Sequence, residues 1–477
     1  MKLNELLNCD LNIEIKGIKT DSRLVENGDL FVCIKGLTND GHNFINSAIK
    51  NGAVAILAER KIKCEVPLVV ERDIQNRLPD ILTKFYGNLS ERLKFIGVTG
   101  TDGKTSTALI IYEFLKDIYE AAYIGTNGIF SNKYFVDGAT NTTPTICELY
   151  NTLDILEKNK VKFVSMETSS AGLKENRTGN ILFDFGVFLN LSVDHLSYHG
   201  TFNDYKNSKI KLFKKIKKDG VAILNCDDKY YDDFLSNCSC KVLKYGKKED
   251  ADLRILKIKE GLKKTDFSIS YLNTIYNIET SLIGGFNVYN ICAALSVALN
   301  CGIPIEKCIN KCKQLKVLGR MENIDYGQPF TLIFDFGHTI NSVKTVLQYV
   351  NRFKKNRIIL VSGSLPNHES DRIEKGKIMS ELSDYCIFTS DTKGDEPEQE
   401  IIKELTSKAK KGKYEICIDR KLAIEKAISI ASDNDIVLIS GVEYFFGKDR
   451  RNGVNPYLVS KEKITEKYSL TKIKTVI

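Results

Sequence analysis

The sequence lacks the long apolar runs that membrane spans require. No stretch approaches the roughly twenty consecutive apolar residues needed to cross a bilayer. The N-terminal segment contains Glu5 and Asp10 at positions where a signal peptide would be apolar. We therefore expect a soluble, cytoplasmic protein with no stable membrane association.

Cysteine clusters of the kind that bind zinc and nucleic-acid-binding tracts are also missing. The thirteen cysteines are scattered, and the two close pairs, Cys238 with Cys240 and Cys308 with Cys312, lack the second pair that a zinc site needs. The net charge of +8 is mild for 477 residues. No basic tract is interleaved with aromatic residues, so lysine clusters such as 211–218 are interpreted as solvated helix faces. We expect reduced thiols and no nucleic-acid partner.

The chain is too long for one hydrophobic core, and about three domains are expected. Apolar and polar patterns alternate between the strand and the helix periods, which predicts an α/β fold. We place a small α/β domain at residues 1–92, a central domain at 93–317 and a Rossmann-like domain at 318–477. The last has predicted strands at 358–361, 385–389 and 436–440, each followed by a small or acidic residue, and ligands bind at such strand ends.

One glycine-containing turn has the pattern of a phosphate-binding loop. Residues 95–98 read as a buried strand, a helix pattern begins near residue 108, and Gly100-Thr-Asp-Gly-Lys-Thr-Ser106 lies between them. Glycines let the backbone approach phosphates, the first N–H groups of the helix point at them, Lys104 adds a positive charge, and Thr105 suits Mg²⁺. Val98 stands where the common pattern has glycine. An ordinary strand–helix turn is the alternative.

An acidic residue ends the next apolar strand. Residues 161–166 are followed by Glu167, and an acid at the carboxyl end of a strand beside a phosphate-binding loop is a typical Mg²⁺ ligand. Asp194, His195 and His199 lie within six residues, but no further protein ligand at zinc spacing appears nearby. Glu167 is therefore the first metal candidate.

Two hydroxyl-rich turns are candidates for anion binding. Asn141-Thr-Thr-Pro144 opens a predicted helix with Thr142 or Thr143 as its cap, and Ser22 and Arg23 lie in a polar turn. An ordinary capped helix at the first turn and a surface turn with a solvated arginine at the second are the alternatives.

The phosphate-binding loop belongs to an ordered series of motifs. The others are Asp21-Ser-Arg23, Gly28-Asp-Leu-Phe31, Asn141-Thr-Thr-Pro144, Glu167-Thr-Ser-Ser170, the segment from Asn190 to Gly200 with Asp194-His-Leu196, the segment from Tyr205 to Phe213 with Lys209, Asn225-Cys-Asp-Asp228, Phe286-Asn-Val-Tyr-Asn290, Gly319-Arg-Met-Glu322 and Asp335 with His338-Thr339. In this order they resemble the Mur ligase family over nearly the whole chain. Within it they are most similar to the MurE branch, which adds an amino acid to UDP-N-acetylmuramoyl-L-alanyl-D-glutamate.

The resemblance implies ATP-dependent amide formation. In this family a carboxylate of the nucleotide-linked peptide attacks the γ-phosphate, and the amino group of a free amino acid then displaces phosphate from the acyl phosphate. Since the first step brings two anions together, cations must supply most of the electrostatic stabilisation. The implied cofactors are ATP and Mg²⁺, and the implied pathway is peptidoglycan precursor synthesis for the cell wall. We expect a monomer with an N-terminal UDP-substrate domain, a central ATP-binding domain and a C-terminal amino-acid domain.

The resemblance also implies roles for individual residues. The implied catalytic residues are Lys104, Glu167, His195 and Lys209. The implied metal ligands are Thr105, Glu167, His195 and Lys209, the last as a carbamate, which turns a repelling ammonium into an anionic oxygen ligand. The implied ATP contacts are Gly100, Thr101, Asp102, Gly103, Lys104, Thr105, Ser106, Asn290, Arg320, Asp335 and His338. The implied substrate contacts are Ser22, Thr142, Thr143, Ser169 and Arg177, joined by Asp391, Glu396 and Glu443 in the amino-acid pocket.

Three positions depart from the family pattern. Ala171 replaces a histidine, Asp391-Thr-Lys-Gly394 replaces the usual Asp-Asn-Pro-Arg or Asp-Asn-Pro-Ala, and Gly441-Val-Glu-Tyr-Phe445 replaces Gly-Lys-Gly-His-Glu. An arginine for a second substrate carboxylate is thus missing at the aligned position. Glu396 and Glu443 could instead pair with a cationic side chain, which would favour lysine or ornithine.

Two alternatives follow from these departures. The first is a paralogue of the same fold that joins a different amino acid and a different acid acceptor. The second is a non-catalytic nucleotide-binding partner. Retention of Lys104, Glu167, His195 and Lys209 argues against loss of catalysis.

Overall fold

The computed structural model describes residues 1–36, 39–136, 141–337, 339–364, 369–391, 396–441, 444–445, 448–449 and 454–468. The chain divides into two compact units, residues 1–252 with 293–303, and residues 253–292 with 304–477. Across the described ranges, no helix has both the length and the apolar character of a membrane span.

The first unit alternates strands and helices from its N-terminus. Its helices are α1 Leu3–Leu6, α2 Ile45–Lys50, α3 Ile74–Tyr86, α4 Leu89–Arg92, α5 Lys104–Leu115, α6 Ile146–Lys158, α7 Ser170–Lys174, α8 Leu196–His199, α9 Phe202–Lys214 and α10 Tyr231–Leu235, with short 3-10 helices at Ser22–Leu24 and Gly41–Phe44. Its strands are β1 Gly17–Lys19, β2 Asp29–Val32, β3 Ala55–Ala58, β4 Leu68–Val70, β5 Lys94–Thr99, β6 Ala121–Gly125, β7 Gly128–Ser131, β8 Phe135–Val136, β9 Phe163–Glu167, β10 Phe183–Phe188, β11 Ile216–Asn225 and β12 Lys241–Gly246.

The second unit follows a similar alternation. Its helices are α12 Ile305–Cys312, α13 Ile340–Asn351, α14 Glu369–Leu382, α15 Glu398–Thr406, α16 Arg420–Ile430 and α17 Pro456–Tyr468, and α11 Gly285–Asn300 contributes residues to both units. Its strands are β13 Leu253–Lys259, β14 Thr265–Tyr271, β15 Thr274–Thr280, β16 Glu322–Ile324, β17 Thr331–Asp335, β18 Ile358–Ser362, β19 Tyr385–Phe388, β20 Tyr414–Ile416, β21 Ile436–Ser440, β22 Tyr444–Phe445 and β23 Lys448–Asp449.

The described strands of the first unit lie in two sheets. β1 to β4 form a parallel sheet in sequence order. In the other sheet, β12, β11, β10, β5, β9 and β6 lie side by side and parallel, and β7 and β8 follow antiparallel. β5 lies between β10 and β9, with Val98 opposite Glu167 in register. Because the carboxyl ends of parallel strands share one edge, the loop after β5 lies beside the end of β9.

The second unit has a sheet covered by helices on both faces. Its order is β16, β17, β21, β18, β19 and β20, and only the pair of β16 with β17 is antiparallel. Ile358 and Leu360 pack with α13 and α15, whereas Ile359 and Val361 pack with α16 and α17. This alternation follows from the twofold period of a strand, because successive side chains point to opposite faces.

Two local predictions are wrong. The helix predicted to have Thr142 or Thr143 as its cap is capped by Thr145 and begins at Ile146. The Thr145 backbone N–H donates to Glu148 Oε2 at 3.0 Å in a capping box, which places the cap three residues before the glutamate. The lysine-rich stretch 211–218 is not one helix face, because α9 ends at Lys214 and β11 begins at Ile216.

Candidate active site

The phosphate-binding loop connects β5 to α5. Gly103 has φ +84°, a left-handed conformation that favours glycine, and it immediately precedes the first helical residue, Lys104. A Cβ atom on Gly100 would lie 2.9 Å from the Cβ of Leu189, so this position also needs a small residue. The helix offers no acceptor to its first backbone N–H groups, which include those of Thr105 and Ser106. The loop therefore presents donors and a cation to an anion.

Residues that follow β10 hold this loop through hydrogen bonds. Asp102 donates its backbone N–H to Asn190 Oδ1 at 2.9 Å, and Asn190 Nδ2 donates to Asp102 O at 3.1 Å. Thr101 accepts from the Ser192 backbone N–H at 3.0 Å. These contacts hold the backbone of Asp102 and the side chain of Thr101, two of the predicted ATP contacts.

Two predicted catalytic lysines meet at one carbonyl. Lys104 Nζ donates to Gly100 O at 3.0 Å and to Thr101 O at 2.8 Å, and Lys209 Nζ donates to Gly100 O at 2.7 Å. Lys209 is 1% exposed. Burial and the nearby Lys104 charge lower the pKa of Lys209 well below its usual value. A neutral amine is the form that can react with carbon dioxide to give a carbamate.

Tyr205 completes the surroundings of Lys209. Lys209 Nζ lies 4.5 Å from the centre of the Tyr205 ring, and the Tyr205 hydroxyl is 3.0 Å from Thr101 Oγ1. Tyr205 is fully buried. One turn of α9 thus connects Lys209 with the phosphate-binding loop.

Glu167 lies 1% exposed at the end of β9. Thr105 Oγ1 donates to its Oε2 at 2.9 Å, and Thr126 Oγ1 lies 3.3 Å from the same oxygen. Oε1 accepts from the Tyr123 hydroxyl at 2.5 Å and from the Thr126 backbone N–H at 2.8 Å. The structure therefore brings together the two residues, Thr105 and Glu167, that the sequence predicts to hold Mg²⁺.

The oxygen donors of Thr105 and Glu167 fit magnesium. Mg²⁺ is usually held by one or two carboxylates together with substrate phosphates and water, rather than by an all-protein cage. Among the residues that the structure describes, no group of three or more His, Cys, Asp and Glu side chains could hold a metal. A cation here would complete its coordination from outside the protein.

His195 is exposed, with 61% of its side chain accessible to solvent, and the charges of the two lysines act on it. Its backbone is left-handed, with φ +52°, and its Nε2 lies 3.4 Å from Asp194 Oδ2. Desolvation, together with the charges of Lys104 and Lys209, lowers the pKa of His195 against the opposing effect of Asp194. The neutral imidazole that results is the form that can bind a metal.

The predicted acceptor contacts Thr142, Thr143, Ser169 and Arg177 form one network. Thr143 is fully buried, donates to Glu167 O at 2.9 Å and accepts from the Ser169 backbone N–H at 3.0 Å. Arg177 donates to Thr143 O at 2.9 Å, and Thr142 Oγ1 accepts from Thr126 Oγ1 at 3.2 Å. This network is continuous with the surroundings of Glu167. Direct contact with substrate stays a prediction for all four residues.

The remaining predicted acceptor contact, Ser22, lies in the N-terminal sheet region. Ser22 is 6% exposed, and its carbonyl accepts from Asn51 Nδ2 at 2.7 Å. Asp21 caps the short helix that Ser22 begins, because its side chain accepts from the Arg23 backbone N–H. The role of Ser22 stays a prediction.

The other predicted ATP contacts lie in the second unit. Asp335 accepts from the backbone N–H groups of Gly337 at 2.7 Å and Met321 at 2.9 Å, and burial raises its pKa. Arg320 stacks 4.0 Å from the centre of the Phe336 ring. Asn290 donates to Asn287 Oδ1 at 3.0 Å. His338 lies outside the described residues, and these four assignments stay predictions.

Two acidic side chains of the predicted amino-acid pocket form ion pairs with arginines. Arg420 donates to Asp391 Oδ1 at 3.0 Å, and each side chain is 1% exposed. Arg372 donates to both carboxylate oxygens of Glu396, at 2.5 and 2.6 Å, and to Glu404 at 2.9 Å. This pairing removes the charge argument for a cationic substrate at Glu396. Glu443 lies outside the described residues, and all three substrate roles stay predictions.

Sequence reasoning did not identify Tyr123, Thr126, Arg372 or Arg420. Tyr123 reads as an apolar residue of a buried strand, and the arginines read as ordinary helix residues. The structure shows the relation through the parallel pairing of β6 with β9, which places Tyr123 opposite Ser165, two residues before Glu167. Side chains two residues apart on a strand share a face.

Comparisons with known proteins give three domain matches in series. Residues 14–85 match the "Mur ligase family, catalytic domain", residues 98–298 match the "Mur ligase middle domain", and residues 319–442 match the "Mur ligase, glutamate ligase domain".

Two curated relatives are similar to this chain over nearly its whole length. The chain is 35% identical over 468 residues to the UDP-N-acetylmuramoyl-L-alanyl-D-glutamate--2,6-diaminopimelate ligase of Halalkalibacterium halodurans, covering 96% of each chain. It is 36% identical over 449 residues to the ligase of that name from Fusobacterium nucleatum, covering 91% of this chain and 90% of the relative.

Solved structures share the fold. A structure of a UDP-N-acetylmuramoyl-L-alanyl-D-glutamate--2,6-diaminopimelate ligase superposes with a TM-score of 0.67 at 26% identity, covering 98% of this chain and 99% of the other. The MurF ligase of Thermotoga maritima in complex with ADP has a TM-score of 0.65 at 22% identity, over 95% and 97% of the chains.

These findings confirm the predicted α/β Mur ligase fold and the predicted enzyme class, an ATP-dependent acid–amino acid ligase. The domain limits at residues 92 and 317 stay predictions. The three domain matches and the relatives over nearly the full length show that the chain belongs to the Mur ligase family.

Proposed function

We propose that this protein uses ATP to add the third amino acid to UDP-N-acetylmuramoyl-L-alanyl-D-glutamate in peptidoglycan precursor synthesis. The observation that carries the proposal is the contact between Thr105 and Glu167 at the mouth of the phosphate-binding loop, in a chain whose full-length relatives are named as ligases for this acceptor. The substrates are the UDP-linked muramoyl-dipeptide and a free amino acid.

The reaction proceeds through an acyl phosphate. A free carboxylate of the dipeptide attacks the γ-phosphorus of ATP, the bond to the bridging oxygen breaks, and ADP leaves. The amino group of the incoming amino acid then attacks the acyl carbon, phosphate leaves, and the amine loses a proton. Both steps place negative charge beside the first turn of α5.

The protein offers fixed positive groups at this point. Lys104 and the N-terminal N–H groups of α5 are preorganised against the negative charge that develops on the phosphoryl oxygens. Thr105 and Glu167 would hold one Mg²⁺, and His195 would bind or position a second. Lys209, as a carbamate, would add an anionic oxygen ligand. When bound, Mg²⁺ supplies charge neutralisation between the phosphates. The low exposure of Glu167 and Lys209 strengthens these interactions, because charges interact more strongly away from water.

The sequence allows more than one amino acid as the substrate that is added. The relatives are named for 2,6-diaminopimelate, but this chain departs from the family pattern at 391–394, where the selectivity motif is expected. Those departures, with Ala171, also favour a second candidate, a paralogue that joins another amino acid or another acid acceptor.

A product assay tests the proposal. We would measure phosphate release with ATP, Mg²⁺ and UDP-N-acetylmuramoyl-L-alanyl-D-glutamate against meso-diaminopimelate, lysine, ornithine and other amino acids, with mass spectrometry of the product. A new amide with one amino acid supports the proposal and names the substrate. If the protein binds ATP but forms no amide with any of these amino acids, the proposed acceptor is contradicted.

A loop variant checks that turnover belongs to this site. Lys104→Ala is expected to abolish product formation, because the variant loses the cation that faces the phosphates. Lys116→Ala is a matched control, since Lys116 follows the same helix and pairs with Glu113. Undiminished turnover in Lys104→Ala would exclude the proposed role. ATP binding by the unmodified protein without turnover on any acceptor would favour a non-catalytic partner.

A further inference from the structure

Tyr123 contacts the proposed metal ligand from the side opposite to Thr105. Its hydroxyl donates to Glu167 Oε1 at 2.5 Å, whereas Thr105 donates to Oε2 at 2.9 Å. Tyr123 is fully buried, and Glu167 is 1% exposed. Each carboxylate oxygen therefore has its own hydroxyl donor. Loss of either hydrogen bond would be costly, because water does not readily replace the donor at this buried site.

The surrounding backbone orients the Tyr123 hydroxyl. The Asn127 backbone N–H donates to the Tyr123 oxygen at 3.3 Å, so the hydroxyl hydrogen is directed to Glu167. The Thr126 backbone N–H supplies a second donor to Oε1 at 2.8 Å. Gly125 makes this contact possible, because a Cβ atom there would overlap both Glu167 Oε1 and the Tyr123 oxygen.

We propose that Tyr123 is a positioning residue that holds Glu167 Oε1, so that Oε2 is the oxygen presented to the cation shared with Thr105. The inference rests on the proposed role of Glu167 in the function above. Hydrogen bonds to a ligating carboxylate fix its orientation, and their loss typically weakens metal affinity about 10–100-fold.

Two tyrosine variants separate positioning from packing. Tyr123→Phe removes the hydroxyl and retains the ring. Tyr245→Phe is the matched control, because Tyr245 is also fully buried in the first unit and its hydroxyl donates to Phe188 O at 3.2 Å. Both variants delete one buried hydroxyl, but only Tyr123→Phe alters the contacts of Glu167.

The direct readout is Mn²⁺ binding by electron paramagnetic resonance, in the presence of the non-hydrolysable ATP analogue with a β,γ-imido bridge. We expect the Mn²⁺ dissociation constant to rise about tenfold or more in Tyr123→Phe and to stay within about twofold in Tyr245→Phe. In the amide assay, the Mg²⁺ concentration for half-maximal rate should rise by the same factor, with a much smaller change in kcat at saturating Mg²⁺.

The outcomes distinguish this inference from the proposed function. If the unmodified protein binds the Mn²⁺–nucleotide complex and Tyr123→Phe binds it equally well, the positioning role is overturned while the proposed function stands. An equal loss in Tyr245→Phe also overturns it, because the effect is then general to buried hydroxyls. If the unmodified protein does not bind the complex, both proposals fail.

Discussion

Replacing Arg420 with methionine is expected to destabilise the second unit by about 3–5 kcal/mol, because it leaves a buried carboxylate without its cationic partner. Arg420 and Asp391 are each 1% exposed and are joined at 3.0 Å. Arg420 also donates to Ser440 O at 2.9 Å. A Cβ atom on Gly441 would overlap the Asp391 carboxylate, so the backbone of Gly441 closes one route by which the carboxylate could reach water.

The assay follows the second unit separately from the first. Hydrogen exchange measured by mass spectrometry on peptides from β19 and β21 reports the opening free energy of this sheet. Lys421→Met is the matched control, since Lys421 is the next residue of α16 and its ion pair with Glu425, at 3.8 Å, is 55% exposed at the lysine. Exposed pairs contribute about 0–1 kcal/mol.

A double variant tests the assigned cause. Asp391→Asn combined with Arg420→Met removes both charges, and we expect it to regain most of the stability that Arg420→Met loses. A loss below about 1 kcal/mol in Arg420→Met, or no recovery in the double variant, would refute the reasoning from an unpaired buried charge. Asp391→Asn alone also tests substrate contact. A raised KM for the amino acid with an unchanged KM for ATP would support a role of Asp391 in the amino-acid pocket.

Three further predictions concern the first unit. Gly103→Ala should weaken ATP binding about tenfold in a calorimetric titration, since a side chain on a left-handed residue costs about 1–2 kcal/mol. Gly302→Ala is the control: Gly302 has φ +82° with no atom near its Cβ position, so the variant carries the same strain and should leave the affinity unchanged. Lys209→Ala should lose most amide formation and regain part of it with added short carboxylates. Lys206 lies on the same helix as Lys209, α9, and Lys206→Ala, which removes only an ion pair with Asp233 of α10, should remain active. Burial raises the pKa of the Cys147 thiol to about 12, so above about pH 8.5 the unfolded chain releases a proton that the folded chain keeps. Under reducing conditions, stability should therefore fall between about pH 8.5 and 12, with a shallower slope in Cys147→Ala; an unchanged slope would contradict this contribution.

The sequence determined the parts of the site that are local in the chain. The strand, glycines, lysine and helix of the phosphate-binding loop are consecutive, so their pattern predicts both structure and ligand. Glu167 could be predicted for a similar reason. An acid that directly follows an apolar strand lies at the carboxyl end of that strand, where ligands bind in parallel sheets. The strand predicted at 121–125 has the limits of β6, Ala121–Gly125.

Helix starts depended on competition that the sequence did not resolve. Three threonines lie between residues 142 and 145, and each can cap a helix. Thr145 is the cap because Glu148 completes its capping box, and Thr143 is instead buried against Glu167 and Ser169. The choice among equivalent side chains was made by the packing around them.

Only the tertiary structure decided which charged and polar groups meet. Lys209 is one of many lysines in the sequence, but the fold buries it against the Gly100 carbonyl. Tyr123 and Glu167 are 44 residues apart, and Asp391 and Arg420 are 29 apart. No local periodicity connects residues at such separations. Their contacts arise when strands pair in register and helices cover the sheet, because that packing removes water and leaves each buried polar group dependent on the partner that the fold supplies.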